Sequence, residues 1–314
     1  MLAVAYDSQF RSLGRKRRRT KGHEGAKVGV ERIIQTIDQA LEAAKLDPAA
    51  ITGIGVGCPG TVDLESGVIL EAANLGWKNV KLKEQLEDHF HCPVVITNDV
   101  DAGVYGEYRF GAGKNARCVI GIFPGTGIGG GCIYEGRIFR GRKHSCMEIG
   151  HVEVVPDGEY CGCGRRGCLE TEASRLAIAS QVAMAAYRGE APHIMATSGA
   201  DLSEIRSSTL AEAIKAGDTI VEKIVRRAGD LIGVAVANVV TMLAPDVIVL
   251  GGGLVEAMPD LFVNAVEKSA RERTMPSMAK SFKVVAAKLG DDAGAMGAAG
   301  WIEKQVLPRE ASLN

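Results

Sequence analysis

The sequence predicts an α/β protein that is long enough for two domains. Amphipathic helices alternate with short apolar strands along the first half of the chain, an order typical of helices packed on a sheet. The chain has 314 residues and is 46% hydrophobic, so it can bury a large core. Its formal net charge is -1, so no overall field favours a nucleic acid or a membrane as a partner. We therefore expect a globular protein that binds neither.

The cysteines and the absence of targeting patterns predict a cytoplasmic location. Five of the eight cysteines lie in apolar stretches, where thiols act as small hydrophobes in a reducing compartment. They are Cys58, Cys92, Cys118, Cys132 and Cys146. The N-terminus has no apolar signal region, and no window approaches the ~18 uninterrupted apolar residues of a membrane span.

The chain begins with two predicted strands and a helix. Residues 1–6 and 13–20 have strand patterns separated by a turn, which indicates a hairpin. The second strand contains a basic run at 15–19. We interpret this run as a solvated strand in preference to a nucleic-acid patch, because the total charge is near neutral. Apolar residues at helical spacing then predict an amphipathic helix over 27–45.

Two further strands carry polar residues at their ends. A buried strand over 51–57 leads into a turn that contains Pro59 and Gly60. After a helix over 82–90, Pro93 opens a strand whose carboxyl end carries Asn98 and Asp99. In open sheets of this type, ligands bind at the carboxyl ends of the strands. The pair could alternatively be an ordinary turn after a strand.

A glycine-rich turn joins predicted strands at 118–123 and 132–139. It contains GxGxxG as Gly125, Gly127 and Gly130, which alone is weak evidence for a dinucleotide fold. The Rossmann version opens a helix, whereas this one opens a strand, so the context argues against that fold. The backbone amides of such a turn can still cradle a phosphate.

The rest of the chain is mostly helical. Helices are predicted over 175–189 and 210–245, with an uncertain loop at 191–208. The second helix has an apolar stripe that we assign to the core: Ile220, Ile224, Leu231, Val234 and Met242. A buried strand at 246–250 breaks into three glycines, and a strand at 282–286 precedes a helix of small residues that should pack closely.

A cluster of thiols predicts a zinc site. Residues 161–170 read CGCGRRGCLE, and the segment EIGH ends ten positions upstream of the first cysteine. One histidine and three cysteines supply the four ligands of a closed tetrahedral zinc site. They are His151, Cys161, Cys163 and Cys168. A disulfide with a spare thiol is disfavoured in a chain without a secretory signal. The metal would also fix the neighbouring Glu148 and Glu170.

These motifs give the chain a family resemblance. ExGH followed by CxCGxxGCxE is similar to the signature of the ROK (repressor, open reading frame, kinase) family of sugar kinases and regulators. Further matches follow in the family's order: GVGCPGTVD at 55–63, NLGW at 74–77, NDVDAG at 98–103, GTGIGGG at 125–131, VLGGGL at 249–254 and DDAGAMGAA at 291–299. The likeness therefore covers nearly the whole chain.

The resemblance implies the actin-like (ribonuclease H-like) ATPase fold, with two α/β domains flanking a cleft. We expect residues 1–109 to form a small N-terminal domain, joined by a C-terminal helix at 292–314. Residues 110–291 would form a larger domain with the zinc loop. A homodimer or homotetramer is the expected assembly.

The resemblance also implies an ATP-dependent hexose kinase, with glucose converted to glucose 6-phosphate as the leading hypothesis. Asp99 would be the catalytic base. The residues expected to bind the sugar, together with Asp99, are Gly60, Asn74, Asn98, Glu148, His151 and Glu170. The residues expected to meet ATP are Gly125, Thr126 and Gly127 at the phosphates and Gly251, Gly252 and Gly253 at the adenosine. Mg²⁺ would arrive with ATP, and the zinc would be structural.

Two alternatives come from other functional classes. A sugar-responsive repressor of the same family would need a DNA-binding helix-turn-helix domain, for which this sequence has no pattern. A sugar-binding pseudokinase would bind the hexose without phosphoryl transfer.

The sequence departs from the family at two points. Asp101 stands where the family often has asparagine, which changes the local charge two positions beyond the predicted base. The family also begins with a strand that ends in DxGGT and serves the metal and the nucleotide phosphates. Residues 1–20 resemble the second and third family strands. We therefore expect that upstream codons encode a short apolar strand ending in Asp, Gly and Thr.

Overall fold

The computed structural model describes residues 1–142 and 146–306, apart from the side chain of His23, and divides the chain into two compact units. The first unit contains Met1–Gly111, Ile138–Cys146 and the segment from Asp291 onward. The second contains Ala112–Arg137 and Met147–Gly290. Positions 307–314 of the predicted C-terminal helix lie outside the described residues.

The first unit opens with a mixture of strands and helices. In chain order these are β1 (Leu2–Tyr6), β2 (Ser12–Arg17), α1 (Ala26–Ala44), β3 (Ile54–Cys58), β4 (Thr61–Asp63), β5 (Val68–Ala72), β6 (Trp77–Val80), α2 (Leu82–Phe90), β7 (Val94–Asn98) and α3 (Asp99–Phe110). Strands β1 and β2 pair antiparallel, which confirms the predicted hairpin. Strands β3 and β7 pair in parallel, and β4, β5 and β6 form an antiparallel sheet.

The basic strand β2 is solvated, as the sequence predicted. All but one of its residues are exposed to solvent. Arg15 and Arg17 form ion pairs with Asp292 and Asp291 at 2.9 and 2.7 Å. Exposed pairs of this kind contribute only about 0–1 kcal/mol, so they place charge on the surface without adding much stability.

The second unit contains the larger sheet. Its elements are β8 (Cys118–Pro124), β9 (Ile128–Tyr134), β10 (Arg137–Ile138) at the unit boundary, α4 (Leu169–Ala173), α5 (Arg175–Tyr187), α6 (Pro192–Thr197), α7 (Ser207–Lys215), α8 (Thr219–Leu243), β11 (Val247–Leu250), α9 (Gly253–Ala257), α10 (Pro259–Arg273) and β12 (Lys283–Ala286). The strand order is β10-β9-β8-β11-β12. Strand β8 pairs antiparallel with β9 and parallel with β11.

Three sequence predictions for this unit were wrong in detail. The strand predicted at 132–139 begins at Ile128, because the glycines before Cys132 pair in register with β8. The helix predicted over 210–245 is two helices, α7 and α8, separated at Gly217, which has φ +96°. The uncertain loop contains the short helix α6.

The buried face of α8 also differs from the predicted stripe. Of the predicted set, Met242 is 79% exposed and the others are half-buried, and Ile220, Ile224 and Leu231 pack against the core as predicted. The fully buried residues lie on the adjacent helical track: Val221, Val225, Ile232, Val236 and Val240. Adjacent tracks differ by one residue, about 100° around the helix, and hydrophobicity alone did not identify the more deeply buried of the two.

The final helix, α11 (Ala293–Val306), returns to the first unit and packs on α3 and β3. A side chain at Gly297 would collide with the carbonyl oxygen of Ala102, and one at Gly106 would collide with that of Ala293. The predicted close packing of a small-residue helix is therefore confirmed. Within the described residues, none of the helices combines the length and apolar character needed to cross a bilayer.

Candidate functional site

The predicted base lies at a junction between a strand and a helix. Strand β7 is largely buried and ends at Asn98, and α3 begins at Asp99. Asn98 has an extended backbone, and its Oδ1 accepts hydrogen bonds from the amides of Val100 (2.8 Å) and Asp101 (3.3 Å). This is an N-cap, which satisfies two otherwise unpaired amides at the helix start. Regular backbone structure therefore fixes where Asp99 lies.

Gly60 lies beside this junction. The Asn98 Nδ2 donates a hydrogen bond to the Gly60 carbonyl oxygen at 3.2 Å. Gly60 has φ +92°, and a side chain there would collide with the backbone of Glu71 and Ala72. Only glycine suits this position, because it tolerates positive φ and needs no space for a Cβ. The structure thus brings Gly60 and Asn98 together, and both are residues that the sequence analysis expected to bind the sugar.

The surroundings of Asp99 change the pKa of its carboxyl group. Desolvation raises its pKa above the ordinary value, and this outweighs the opposing hydrogen bond from the Val100 amide. The residue nevertheless keeps an exposed surface. A raised pKa makes the carboxylate a better proton acceptor. Burial, with a smaller contribution from the charge of Asp99, raises the pKa of the adjacent Cys58 thiol to about 12, so that thiol stays neutral.

Asn74 is less well connected. It lies in a short 3-10 helix, Ala73–Leu75, and is exposed. Within the part of the chain that the structure describes, its side chain makes no hydrogen bond, to Asn98 or to any other residue. Its predicted role in sugar binding therefore rests on the NLGW motif alone.

The glycine-rich turn of the second unit is braced by Glu170. The amide of Gly125 donates to the carbonyl oxygen of Gly127 at 2.8 Å, which closes the turn. Glu170 Oε2 accepts from the amide of Ile128 at 2.9 Å and occupies the space that a side chain at Gly127 would need. The hydrogen bond uses one of the two carboxylate oxygens. Glu170 therefore links the end of the cysteine loop to the predicted phosphate turn.

Arg175 contacts the same turn, and the sequence analysis missed it. Its amide donates to the Gly125 carbonyl oxygen at 2.8 Å, and its Nη2 donates to Thr126 Oγ1 at 3.2 Å. Among the described residues it has no carboxylate partner. A guanidinium without an acidic partner beside a glycine-rich turn can bind a phosphate. The available signal was that Arg175 is the sole charged residue of α5.

The four predicted zinc ligands converge. Their ligand atoms all lie within 4.8 Å of one another. Cys163 Sγ is 3.7 Å from Cys168 Sγ, and Cys161 Sγ is 3.5 Å from His151 Nδ1. Zinc bond lengths of about 2.3 Å to sulfur and 2.0 Å to nitrogen give tetrahedral edges of about 3.8 and 3.5 Å. The cysteines are free thiols, and 3.7 Å is far beyond the ~2.05 Å of a disulfide.

The ionisation of these thiols also suits a cation. Hydrogen bonds, first from the Arg165 amide, lower the pKa of Cys163 to about 6. Burial, with the neighbouring thiols, raises the pKa of Cys168 to about 12. Three thiolates at these separations repel one another, so they do not ionise together without a positive ion among them. The donor set therefore fits a zinc ion.

Glu148 precedes the histidine ligand. It directly precedes the short 3-10 helix Ile149–His151, and its carbonyl oxygen accepts from the His151 amide at 3.0 Å. Its side chain is exposed and does not cap this helix. Glu148 is thus tied to His151 through the backbone, with its carboxylate available to a ligand.

The triple glycine follows β11. A side chain at Gly251 would collide with the ring of Phe123, and Gly252 has φ +84°. Gly253 begins α9. Close packing on β8 and backbone conformation thus account for two of these glycines whether or not a nucleotide binds there.

Comparison with known proteins supports a kinase. A glucokinase of Halalkalibacterium halodurans is 32% identical over 290 residues, covering 91% of this chain and 86% of the relative. The crystal structure of a ROK family glucokinase from Streptomyces griseus, in complex with glucose and AMPPNP, matches with a TM-score of 0.82 and 32% identity, covering 95% of this chain and 94% of that one. A xylose repressor of Caldicellulosiruptor bescii is 29% identical over 275 residues, covering 88% of this chain and 68% of the repressor.

These similarities confirm the predicted fold class and the predicted family. ROK glucokinase structures have the actin-like ATPase fold, so the predicted fold class is confirmed. The glucokinase relatives support a sugar kinase, and the repressor indicates that related chains also serve regulation. The sequence model of the ROK family matches residues 3–305. The chain belongs to the ROK family.

Proposed function

We propose that this protein is an ATP-dependent hexose kinase and that it converts glucose to glucose 6-phosphate. The observation that carries the proposal is the similarity, over 95% of the chain, to a glucokinase crystallised with glucose and AMPPNP, an analogue of ATP. The sugar-kinase class follows from the relatives, whereas glucose as the substrate is the proposal.

In the proposed reaction Asp99 is the general base. It accepts the proton of the attacking hexose hydroxyl while that oxygen forms a bond to the γ-phosphorus of ATP. The bond between the γ-phosphorus and the bridging oxygen breaks, and ADP leaves with that electron pair. The raised pKa of Asp99 supports this role, because a hydroxyl is a poor nucleophile until its proton is accepted.

The sugar is proposed to bind through hydroxyl contacts. The residues proposed for these contacts, together with Asp99, are Gly60, Asn74, Asn98, Glu148, His151 and Glu170. Carboxylates and imidazole are suited to this task, because each accepts or donates hydrogen bonds with a fixed direction.

The nucleotide is proposed to bind in the second unit. Gly125, Thr126 and Gly127 would present backbone amides and a hydroxyl to the phosphates, and Arg175 would add a positive charge. The glycines at 251–253 would face the adenosine. When bound with ATP, Mg²⁺ would neutralise part of the phosphate charge during transfer.

Zinc is proposed as a structural ion held by His151 and the three cysteines. Four protein ligands leave no open position for a water, so the ion would not activate one. Because His151 Nδ1 faces Cys161 Sγ at 3.5 Å, the other ring nitrogen would remain for a sugar hydroxyl. A cytoplasmic homodimer or homotetramer is the proposed assembly.

The similarity to a xylose repressor favours a second candidate, a sugar-binding regulator or pseudokinase. Both candidates bind a sugar, and only the kinase releases ADP. An ADP-release assay with ATP, Mg²⁺ and a panel of glucose, fructose, mannose, allose and N-acetylated hexosamines distinguishes them. We expect hexose-dependent ADP release that Asp99→Asn abolishes. Sugar binding by calorimetry with no ADP release for any hexose would instead support the regulator.

A further inference from the structure

Two consecutive arginines in the cysteine loop have different surroundings. Arg165 donates from Nη2 to the carbonyl oxygen of His151 at 2.6 Å, and its own carbonyl oxygen accepts from the Cys161 amide at 2.8 Å. Its amide and its guanidinium are also neighbours of the Cys163 thiol. Arg165 therefore contacts three of the four residues proposed as zinc ligands.

Arg166 faces away from the ligands. Its guanidinium stacks over the ring of Tyr160 at 3.8 Å, and Tyr160 is 71% exposed. No hydrogen bond joins its side chain to a ligand residue within the described parts of the chain. Arg166 has the same charge and the same loop backbone as its neighbour, so it is a matched control for Arg165.

The contacts of Arg165 connect residues at the two ends of the segment from His151 to Cys163. His151 comes from a short 3-10 helix, and Cys163 is on an exposed turn twelve residues later along the chain. The backbone of this span is held by isolated bridges, Glu153 with Cys168 and Tyr160 with Arg166, and by single hydrogen bonds, including the one from the Cys161 amide to the Arg165 carbonyl oxygen. The Arg165 side chain adds a restraint on the His151 end of the ligand set.

Charge gives a second reason for an arginine at this position. A zinc ion with three thiolates and a neutral histidine has a net charge of about -1. A guanidinium in contact with the most exposed thiolate offsets that charge and keeps its own proton at every physiological pH. Because Cys163 is the exposed cysteine of the three, it is the ligand most accessible to solvent and to a competing chelator.

We propose that Arg165 is a positioning residue for the zinc site, holding His151 and the Cys163 thiolate in one geometry and slowing metal loss. The proposal rests on the zinc site of the proposed function. It concerns metal retention, so it does not depend on which hexose is phosphorylated.

The test measures zinc release from purified protein to a chromogenic chelator. Arg165→Ala should bind zinc about 10–100-fold more weakly than the wild type, the usual effect of removing a partner of metal ligands. Arg165→Lys should recover part of the loss, because it keeps the charge but not the planar fork. Arg166→Ala should match the wild type. Circular dichroism before chelation checks that each variant is folded.

Cobalt substitution supplies a readout that loop instability alone would not move. In Co²⁺-loaded protein, the thiolate-to-cobalt charge-transfer band should shift in Arg165→Ala and stay unchanged in Arg166→Ala. Equal zinc release and equal spectra for wild type and Arg165→Ala would overturn the inference, and so would equal losses in the two alanine variants. Wild-type protein without stoichiometric zinc would remove the zinc site and this inference together, while hexose-dependent ADP release would test the kinase separately.

Discussion

The two groups of candidate site residues are held in place by different means. Asp99 and Asn98 lie where a paired strand becomes a helix, and backbone hydrogen bonds and an N-cap fix them. His151 and the cysteines lie on a loop with isolated bridges, where the ligand atoms converge within 4.8 Å. The first arrangement needs only the fold. The second, by the zinc proposal, would also need an ion to hold the thiols together.

Substitutions in the two groups should therefore affect the protein in different ways. A change at Asp99 should remove the chemistry and leave the surroundings intact. A change at the cysteines should alter the loop that carries His151 and ends at Glu170, and so should weaken sugar binding first. Measuring turnover and sugar affinity separately for each variant therefore tests the comparison.

The largest effect is expected for Asp99→Asn. The amide keeps a side chain of the same size that can hydrogen-bond, but it cannot accept a proton. We expect kcat to fall by roughly 10² to 10⁴, the usual worth of general-base catalysis, with hexose affinity within a few fold of the wild type. Steady-state kinetics and calorimetry measure the two quantities. A loss well under tenfold in kcat would transfer the role of base to another carboxylate, with Glu148 the next candidate.

The next effect is expected for Arg175→Ala. The substitution removes the guanidinium beside Thr126 and keeps the backbone hydrogen bond to Gly125. We expect kcat/KM for ATP to fall by roughly 10² to 10³, as when one donor to a developing charge is removed. Arg188→Ala is the control, because Arg188 pairs with Glu190 just beyond the other end of α5. Similar kinetics for the two variants would exclude a phosphate role for Arg175.

A smaller effect is expected for Cys163→Ser. The variant should lose stoichiometric zinc, and its KM for the hexose should rise about tenfold or more, the equivalent of one or two lost hydrogen bonds. Elemental analysis and steady-state kinetics measure these changes. Cys92→Ser is the control, since Cys92 is a half-buried thiol of the first unit outside the cluster. A Cys163→Ser variant with full activity and no zinc would mean that the loop holds its geometry without the ion.

The smallest effect concerns pH. Only ionised Asp99 can accept a proton, and desolvation raises its pKa above the ordinary value. Activity should therefore be present above that raised pKa and fall as the pH drops through it. The acid limb of the kcat/KM profile should accordingly lie at a higher pH than an unperturbed carboxyl group would give. An acid limb at or below the ordinary aspartate value would contradict the assigned environment.

The sequence predicted local features better than distant contacts. Helix α2 has the predicted bounds, and the end of strand β7 at Asn98 was predicted, because Pro93 and a β-branched strand are local signals. The helix that begins at Asp99 was not predicted. The thiol cluster was foreseen because its spacing is local. The contact of Arg175 with Thr126 joins residues 49 positions apart and depends on how α5 packs. Strand β9 starts early because glycines pair in a ladder that their own propensity does not favour.

Identification of the product tests the central claim most directly. Purified protein is incubated with glucose, ATP and Mg²⁺, and the phosphorus species are followed by ³¹P NMR, with Asp99→Asn as the control. The account predicts a new phosphomonoester resonance split by the two protons of the sugar C6, rising as ADP appears. Inorganic phosphate and ADP without a phosphomonoester, or no change in the ATP resonances with any hexose, would contradict it.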